Sequence, residues 1–438
     1  MIKINALRTT ATFIITEPAA FKQQLLQWAQ QFREVVFLDS NSYKQQYTSY
    51  DAVLAVDALT SIKTDYHNAF DALNEYQQIT KDWLFGYLSY DLKNDTENLQ
   101  SDNFDGLGFP DLFFFQPKKL FLLKGNELEM QYLRMCDDEI RSDFEEITNY
   151  ELQITPSIDN QQPTTINQRI SKDSYLEKVQ QMLAHIYRGD IYEANFCMEF
   201  YVANAAIDPV DTYKKLNAVS EPPFAVYFKN YKHYLMSASP ERYLRKEENK
   251  VISQPIKGTA RRSADPDEDN TIKKELAANE KERSENIMIV DLVRNDLSRT
   301  AAKGSVEVEE LCGAYTFKQV HHLISTVVSQ VAEGCTPVDV ICTTYPMGSM
   351  TGAPKISAME IIEKLEETKR GLYSGAVGYF TPDGDFDFNV VIRSILYNAE
   401  NNYVSFSVGS AITSKAIPEL EYEECLLKAR AMRQVLES

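Results

Sequence analysis

The stretch 192–202, Tyr-Glu-Ala-Asn-Phe-Cys-Met-Glu-Phe-Tyr-Val, constrains the fold more than any other part of the chain. Tyr192, Ala194, Phe196, Met198, Phe200 and Val202 alternate with Glu193, Asn195, Cys197 and Glu199. A period of two puts the apolar set on one face of a β-strand. Residues 224–228 and 234–238 continue it as a meander. Upstream, 35–38 reads as a buried strand that stops at Asp39-Ser40-Asn41, and 83–88, 112–115 and 128–135 are further strands. Helices are predicted over 16–32, 66–79 and 172–188. The first is capped by Thr16 with Pro18 in its opening turn, and Phe21, Leu25, Trp28, Ala29 and Phe32 share a face. The third turns Tyr175, Val179, Met182, Leu183 and Ile186 inward and ends at Gly189. Strands and helices mix without a βαβα rhythm, so the fold class is α+β with largely antiparallel sheets. The polar, proline-containing run 155–169 is the best linker, dividing 1–165 from 170–438. The strands on its two sides are expected to belong to one continuous two-layer structure.

Net charge is −19. That makes nucleic acid and anionic membranes poor partners, and an anionic substrate must find its positive charge locally. Six cysteines lie scattered without C-x-x-C spacing, which points to reduced thiols and a cytoplasmic protein. The start, Met-Ile-Lys-Ile-Asn, lacks a signal-peptide layout, and no apolar run approaches a membrane span. There is no G-x-G-x-x-G and no Walker loop.

Eleven of the 16 glycines lie from Gly258 onward, where backbone comes close to a ligand or takes positive φ, so the chemistry is placed there. In Lys250–Arg262 the segment 251–256 reads as a strand, at an edge or ending because Pro255 cannot donate to a ladder. Lys257 then stands between Ile256 and Gly258. A lysine before a turn is ordinarily solvated, but one held at a strand end beside glycine also suits a reactive amine. Carboxylates gather around this reading. Glu241 follows Ser-Ala-Ser-Pro. Glu285 lies on a helix over 280–296, acidic at its start. Glu421 and Glu424, three apart, share a face of another helix. Taken singly, each is a solvated first-turn acid. Carboxylates from two helices can instead hold Mg²⁺, whereas five histidines without H-x-x-x-H spacing make zinc a poor alternative. Donor-rich turns complete the set. Residues 345–355 open a helix to about residue 365, 373–378 and 408–411 are small-residue turns, and Arg393 on a strand over 389–396 is suited to clamp a carboxylate. His321 and His322 precede a β-branched run.

Pro-Ile-Lys-Gly-Thr, Arg-Ser-Glu-Asn-Ile-Met-Ile-Val-Asp-Leu-Val-Arg-Asn-Asp, His-His-Leu-Ile-Ser-Thr, Gly-Ser-Met-Thr-Gly-Ala-Pro-Lys and Glu-Tyr-Glu-Glu together resemble the chorismate-utilising enzymes. These are the anthranilate, aminodeoxychorismate, isochorismate and salicylate synthases. The resemblance is dense from about residue 172 and thinner before it. It implies a two-layer, largely antiparallel β-sandwich with helices packed on its outside. Lysine in Pro-Ile-Lys-Gly-Thr marks the members that aminate chorismate at ring position 4, where anthranilate synthases and most others carry alanine. It implies that Lys257 is a nucleophile, neutral when it attacks and so lowered in pKa by desolvation. The resemblance further implies Glu241 as general acid, His322 near the ring, and Glu285, Glu424 and Glu421 as Mg²⁺ ligands. Substrate contacts would come from Arg393, Tyr373, Thr259, Ser349 and the backbone at Gly409. Chorismate is the implied substrate. A glutamine amidotransferase subunit is the implied source of ammonia, because this chain has no glutaminase signature. The rivals are anthranilate synthase component I and a non-catalytic chorismate-binding subunit.

Two departures stand out. Glu193 occupies a position that is glutamine in most aminating relatives and lysine in the water-adding ones; its role is left open. The family's Gly-x-Gly turn reads Gly409-Ser-Ala411 here. The segment 37–50 resembles the tryptophan-pocket region of relatives. Its Phe-Leu-Asp-Ser departs from the Leu-Leu-Glu-Ser of feedback-regulated members, so tryptophan control is not expected.

Overall fold

Two long strands, Ala52–Thr64 and Leu112–Lys124, run side by side and belong to both halves of a sandwich. The structure, a computed structural model, describes residues 2–4, 7–43, 46–150 and 165–438. The linker reading over 155–169 and the tryptophan-segment reading over 37–50 therefore lie partly outside the described residues. Asn167 and Gln168 already pair with Tyr201 and Phe200, so the end of the predicted linker belongs to a sheet. Residues 52–56 pair with 119–123, and 58–64 with 112–117. Between the halves Asp57 takes positive φ and the register slips. Pro117, with no N–H for a ladder, sits at this crossing.

From the first half one sheet extends through Glu34–Asp39, Phe224–Asn230, His233–Ser239, Ser394–Asn398, Tyr403–Thr413 and Glu193–Val202. From the second half another extends through Leu84–Leu88, Ala376–Phe380, Phe386–Val390, Arg242–Glu247, Lys250–Ser253 and Val320–Gln330. Each of these ladders is antiparallel. Alternation sorts the side chains. Val36, Val226, Phe228, Phe85, Tyr87, Val377 and Tyr379 meet between the sheets. Val35, Phe37, Ala225 and Tyr227 turn outward under the helices Pro18–Trp28, Lys172–Arg188, Pro209–Ser220 and Pro418–Glu437. Leu84, Leu88, Ala376 and Phe380 turn to the opposite outside, under Ala69–Thr80, Glu280–Ser298 and Pro337–Thr344. The molecule is thus α+β, a two-layer antiparallel sandwich clad in helices. Phe228 is fully buried between the layers, and truncating it to alanine is expected to cost about 3–5 kcal/mol.

Several local expectations change. Thr16 does not cap; Glu17 holds that place, with no side-chain hydrogen bond. Ser171 does cap its helix, accepting from Ser174 N, and Gly189 closes it at φ +89°. Tyr192 precedes its strand and is 68% exposed. The polar side of that strand is not solvated: Glu193, Asn195, Cys197 and Glu199 are all buried. A strand inside one layer of a sandwich has no wet face, so its alternation separates two interiors. The segment at 251–256 does not stop at Pro255 but resumes as Ile256–Arg261 along the same neighbour, Val320–Gln330. The strand predicted over 389–396 breaks into two, with Arg393 in the gap at φ +52°.

Candidate active site

Lys257 is placed by a β-bulge. Ile256 pairs with Ile324 and Thr259 with His322, so Lys257 and Gly258 face a single residue. Gly258 sits at φ +100°, where a side chain would also press on Leu323 and Glu282. Asn286 of the helix Glu280–Ser298 fills the opened ladder, donating from Nδ2 to Lys257 O at 3.1 Å and Leu323 O at 3.3 Å. That helix starts where Asn279 accepts from Glu282 N, with Glu280 and Glu282 in the first turn favoured by the helix dipole.

Lys257 Nζ lies 2.7 Å from Glu193 Oε1. The expected depression of its pKa is not found. Burial is the largest single influence and lowers it, but Glu193, then Glu285 and Glu424, outweigh burial and hold the amine above its ordinary value. The resting lysine is therefore an ammonium. Glu241, 4% exposed, is pushed by burial up to about 7, against hydrogen bonds from the Ser349 side chain and the Ile256 backbone and the charge of Lys257. It is a carboxyl group protonated well into the neutral range.

His322 Nδ1 meets Thr259 Oγ1 at 2.9 Å across the ladder. Burial, then the positive charge of Arg393, lowers the imidazole to about 3, so it is neutral and orients the Thr259 hydroxyl. Tyr373 is buried, its hydroxyl 3.8 Å from Cys197 Sγ. Arg393 is desolvated, which depresses its guanidinium, while Tyr373 and Glu424 act the other way. Gly409 packs where a Cβ would come within 2.6 Å of Cys197 Sγ, and its carbonyl accepts from Lys428 Nζ at 2.8 Å.

The remaining acids surround the lysine from two helices. Burial raises Glu285 and Glu421. Glu424 is lowered, because Lys428 at 2.6 Å, with Lys257 and Lys281 beyond, outweighs its burial. The described residues contain no group of three His, Cys, Asp or Glu side chains spaced as a ready metal cluster. The donor chemistry still fits Mg²⁺: hard carboxylate oxygens with excess negative charge, on an ion that takes one or two carboxylates and completes its shell with water and substrate oxygens.

Three residues escaped a role in the sequence reading: Glu193, Asn286 and Lys428. Asn286 carried a usable signal. It lies on the same helical face as Ile289, Val290 and Val293, a polar residue within an apolar stripe. Lys428, four residues after Glu424, reads from sequence as an ordinary i,i+4 surface pair.

The chain resembles proteins with several activities. It is 35% identical to anthranilate synthase component 1 of Thermus thermophilus over 81% of this chain and 77% of that one. It is 32% identical to aminodeoxychorismate synthase component 1 of Bacillus subtilis over 80% of this chain and 76% of that one. It is 39% identical to a probable chloroplastic aminodeoxychorismate synthase of rice over 61% of this chain, spanning 30% of that longer protein. The fold matches the crystal structure of anthranilate synthase component I from Streptococcus pneumoniae with a TM-score of 0.77 and 24% identity, covering 90% of this chain and 95% of that one. Residues 26–434, nearly the whole chain, match the family model for chorismate binding enzymes, and the chain belongs to that family.

Proposed function

We propose that the protein converts chorismate and ammonia to 4-amino-4-deoxychorismate through a covalent adduct on Lys257, the amination on the route to para-aminobenzoate and folate. The observation that carries this reading is the lysine itself, raised on a bulge among Glu193, Glu285 and Glu424 in the same pocket as a protonatable Glu241. Deprotonated Lys257 Nζ adds to ring carbon 2 as the hydroxyl on carbon 4 departs. Glu241 gives that hydroxyl its proton, so it leaves as water. Ammonia then adds at carbon 4 and gives a proton back to the Glu241 carboxylate, while the bond from carbon 2 to Nζ breaks and its electron pair returns to the lysine. Arg393 and Tyr373 hold the enolpyruvyl group, and Thr259, Ser349 and the Gly409 backbone cradle the ring carboxylate. His322 keeps the Thr259 hydroxyl in place. Glu285, Glu424 and Glu421 would hold Mg²⁺, whose charge would neutralise the ring carboxylate when bound.

Ammonia is supplied by a separate glutamine amidotransferase subunit or taken as ammonium. A cytoplasmic setting agrees with six free cysteines, and among the described residues no helix is long and apolar enough to cross a membrane. The test is incubation with chorismate, Mg²⁺ and ammonium, followed by mass spectrometry and fluorescence. Aminodeoxychorismate is expected. Fluorescent anthranilate in its place would transfer the chain to anthranilate synthesis, and chorismate bound but unchanged would make it a non-catalytic subunit.

A further inference from the structure

Glu193 and Glu199 lie on one strand and face the same interior, yet their carboxylates are treated differently. Glu199 is satisfied on both oxygens. Its Oε1 accepts from Tyr403 Oη at 2.9 Å and Ser405 Oγ at 2.8 Å, and its Oε2 from Arg169 Nε at 3.0 Å and Thr368 Oγ1 at 3.3 Å. Among the described residues, Glu193 receives a single bond on Oε1, from Lys257 at 2.7 Å, and its buried Oε2 has no partner. A buried carboxylate kept only as a counter-ion is normally bonded on both oxygens, because an unsatisfied one is costly. Hydrogen bonds hold a carboxylate in its charged form. Among the described residues, the one on Glu193 comes from the ammonium that must lose a proton.

We infer that Glu193 is the catalytic base that turns Lys257 into a nucleophile and returns its proton when the adduct breaks. This rests on the amination reading above. The N–H bond on Nζ breaks and an O–H bond forms on Oε1, leaving on Nζ the pair that bonds ring carbon 2. After ammonia has added at carbon 4, that pair returns to Nζ and the Oε1 proton moves back to it. The transfer converts a buried ion pair into a neutral pair, a change that a low-dielectric interior does not oppose as it opposes separated charges. The base cannot easily drift, since Glu193 is paired on both sides of its backbone, to Ala353 and to Thr413. Its contact is already within the reach that proton transfer needs.

The test compares the wild-type chain with Glu193→Gln, Glu193→Asp and Lys257→Ala, using chorismate, Mg²⁺ and ammonium. With Glu193→Gln, kcat for aminodeoxychorismate is expected to fall about 10²–10⁴-fold, the usual weight of a general base, with KM for chorismate little changed. Lys257 must then lose its proton to solvent, with burial no longer opposed by the Glu193 charge, so the ratio of wild-type to variant kcat should narrow as pH rises and level off once the variant's lysine is deprotonated. A role only as counter-ion predicts the opposite slope, because removing Glu193 then merely lowers Lys257 and favours the variant at neutral pH. Glu193→Asp retains a carboxylate at longer reach and should fall in between; it decides the matter if the glutamine variant does not fold. Loss of activity in Lys257→Ala but near wild-type kcat in both Glu193 variants would overturn the base while leaving the amination reading intact. Undiminished amination by Lys257→Ala would overturn both.

Discussion

The protein buries two lysines in similar company and uses them differently. Lys93 is fully buried, its Nζ 3.0 Å from Asp91 Oδ1 and 3.2 Å from Glu363 Oε2, and 5.1 Å above the Tyr90 ring. Asp91 is itself tied to Gly371 N at 2.8 Å. The Lys257 amine has one hydrogen-bond partner among the described residues, and its side chain keeps 16% of its exposure. In both, carboxylates outweigh burial and raise the amine above its ordinary value. Burial and a raised pKa therefore do not mark a nucleophile. What separates the two is spent donors: Lys93 is enclosed by fixed partners, whereas Lys257 stands on a bulge with donors free and an open side.

Removing each lysine gives the largest expected contrast. Lys257→Ala should reduce amination about 10³-fold, with a smaller stability loss than at Lys93 because Lys257 meets one buried carboxylate at bonding distance rather than two. Lys93→Met should instead lower stability by about 3–5 kcal/mol, because Asp91 and Glu363 lose their buried counter-ion. Undiminished amination in the first and an activity loss at unchanged stability in the second would reverse the assignment.

Glu241 sharpens the contrast from the acid side. Its carboxyl is raised from 4.5 to about 7, so the folded state binds a proton that the unfolded state releases between those values. Stability is therefore lost as pH rises from 4.5 through 7, to the extent of about 3 kcal/mol above it. Glu241→Gln should abolish turnover yet raise the urea midpoint at pH 8 and leave it unchanged near pH 4. Wild-type turnover should decline above pH 7 as the acid form disappears. The smallest effect is expected at Arg393, whose guanidinium has no carboxylate partner among the described residues. Arg393→Lys should raise KM for chorismate about tenfold with less change in kcat, measured by steady-state kinetics.

Much of the fold was legible in the sequence because it is written locally. The helix Lys172–Arg188, with its inward Tyr175, Val179 and Met182 and its terminal Gly189, was found from periodicity and capping chemistry. The strand Glu193–Val202 was found from its alternation, but its polar residues were legible only as the other face. That this face is a second interior depends on a sheet assembled from distant segments. Pro255 misled for the same reason. A missing N–H interrupts one strand locally, but Val320–Gln330 carries the ladder past the interruption. Of the pocket, the identities of Lys257, Glu241 and Glu285 were visible, whereas Asn286 and Lys428 were hidden among ordinary helix residues.

The chain's own order of residues determined its strands, its helices and the chemical groups available to the pocket, since these depend on neighbours a few positions away. Only the tertiary structure decided how those groups ionise. The partner of Lys257 is 64 residues distant along the chain, and Glu424 acts on it from another helix. Charges add through space, so a lysine expected to be lowered by desolvation is raised by carboxylates that no local window contains.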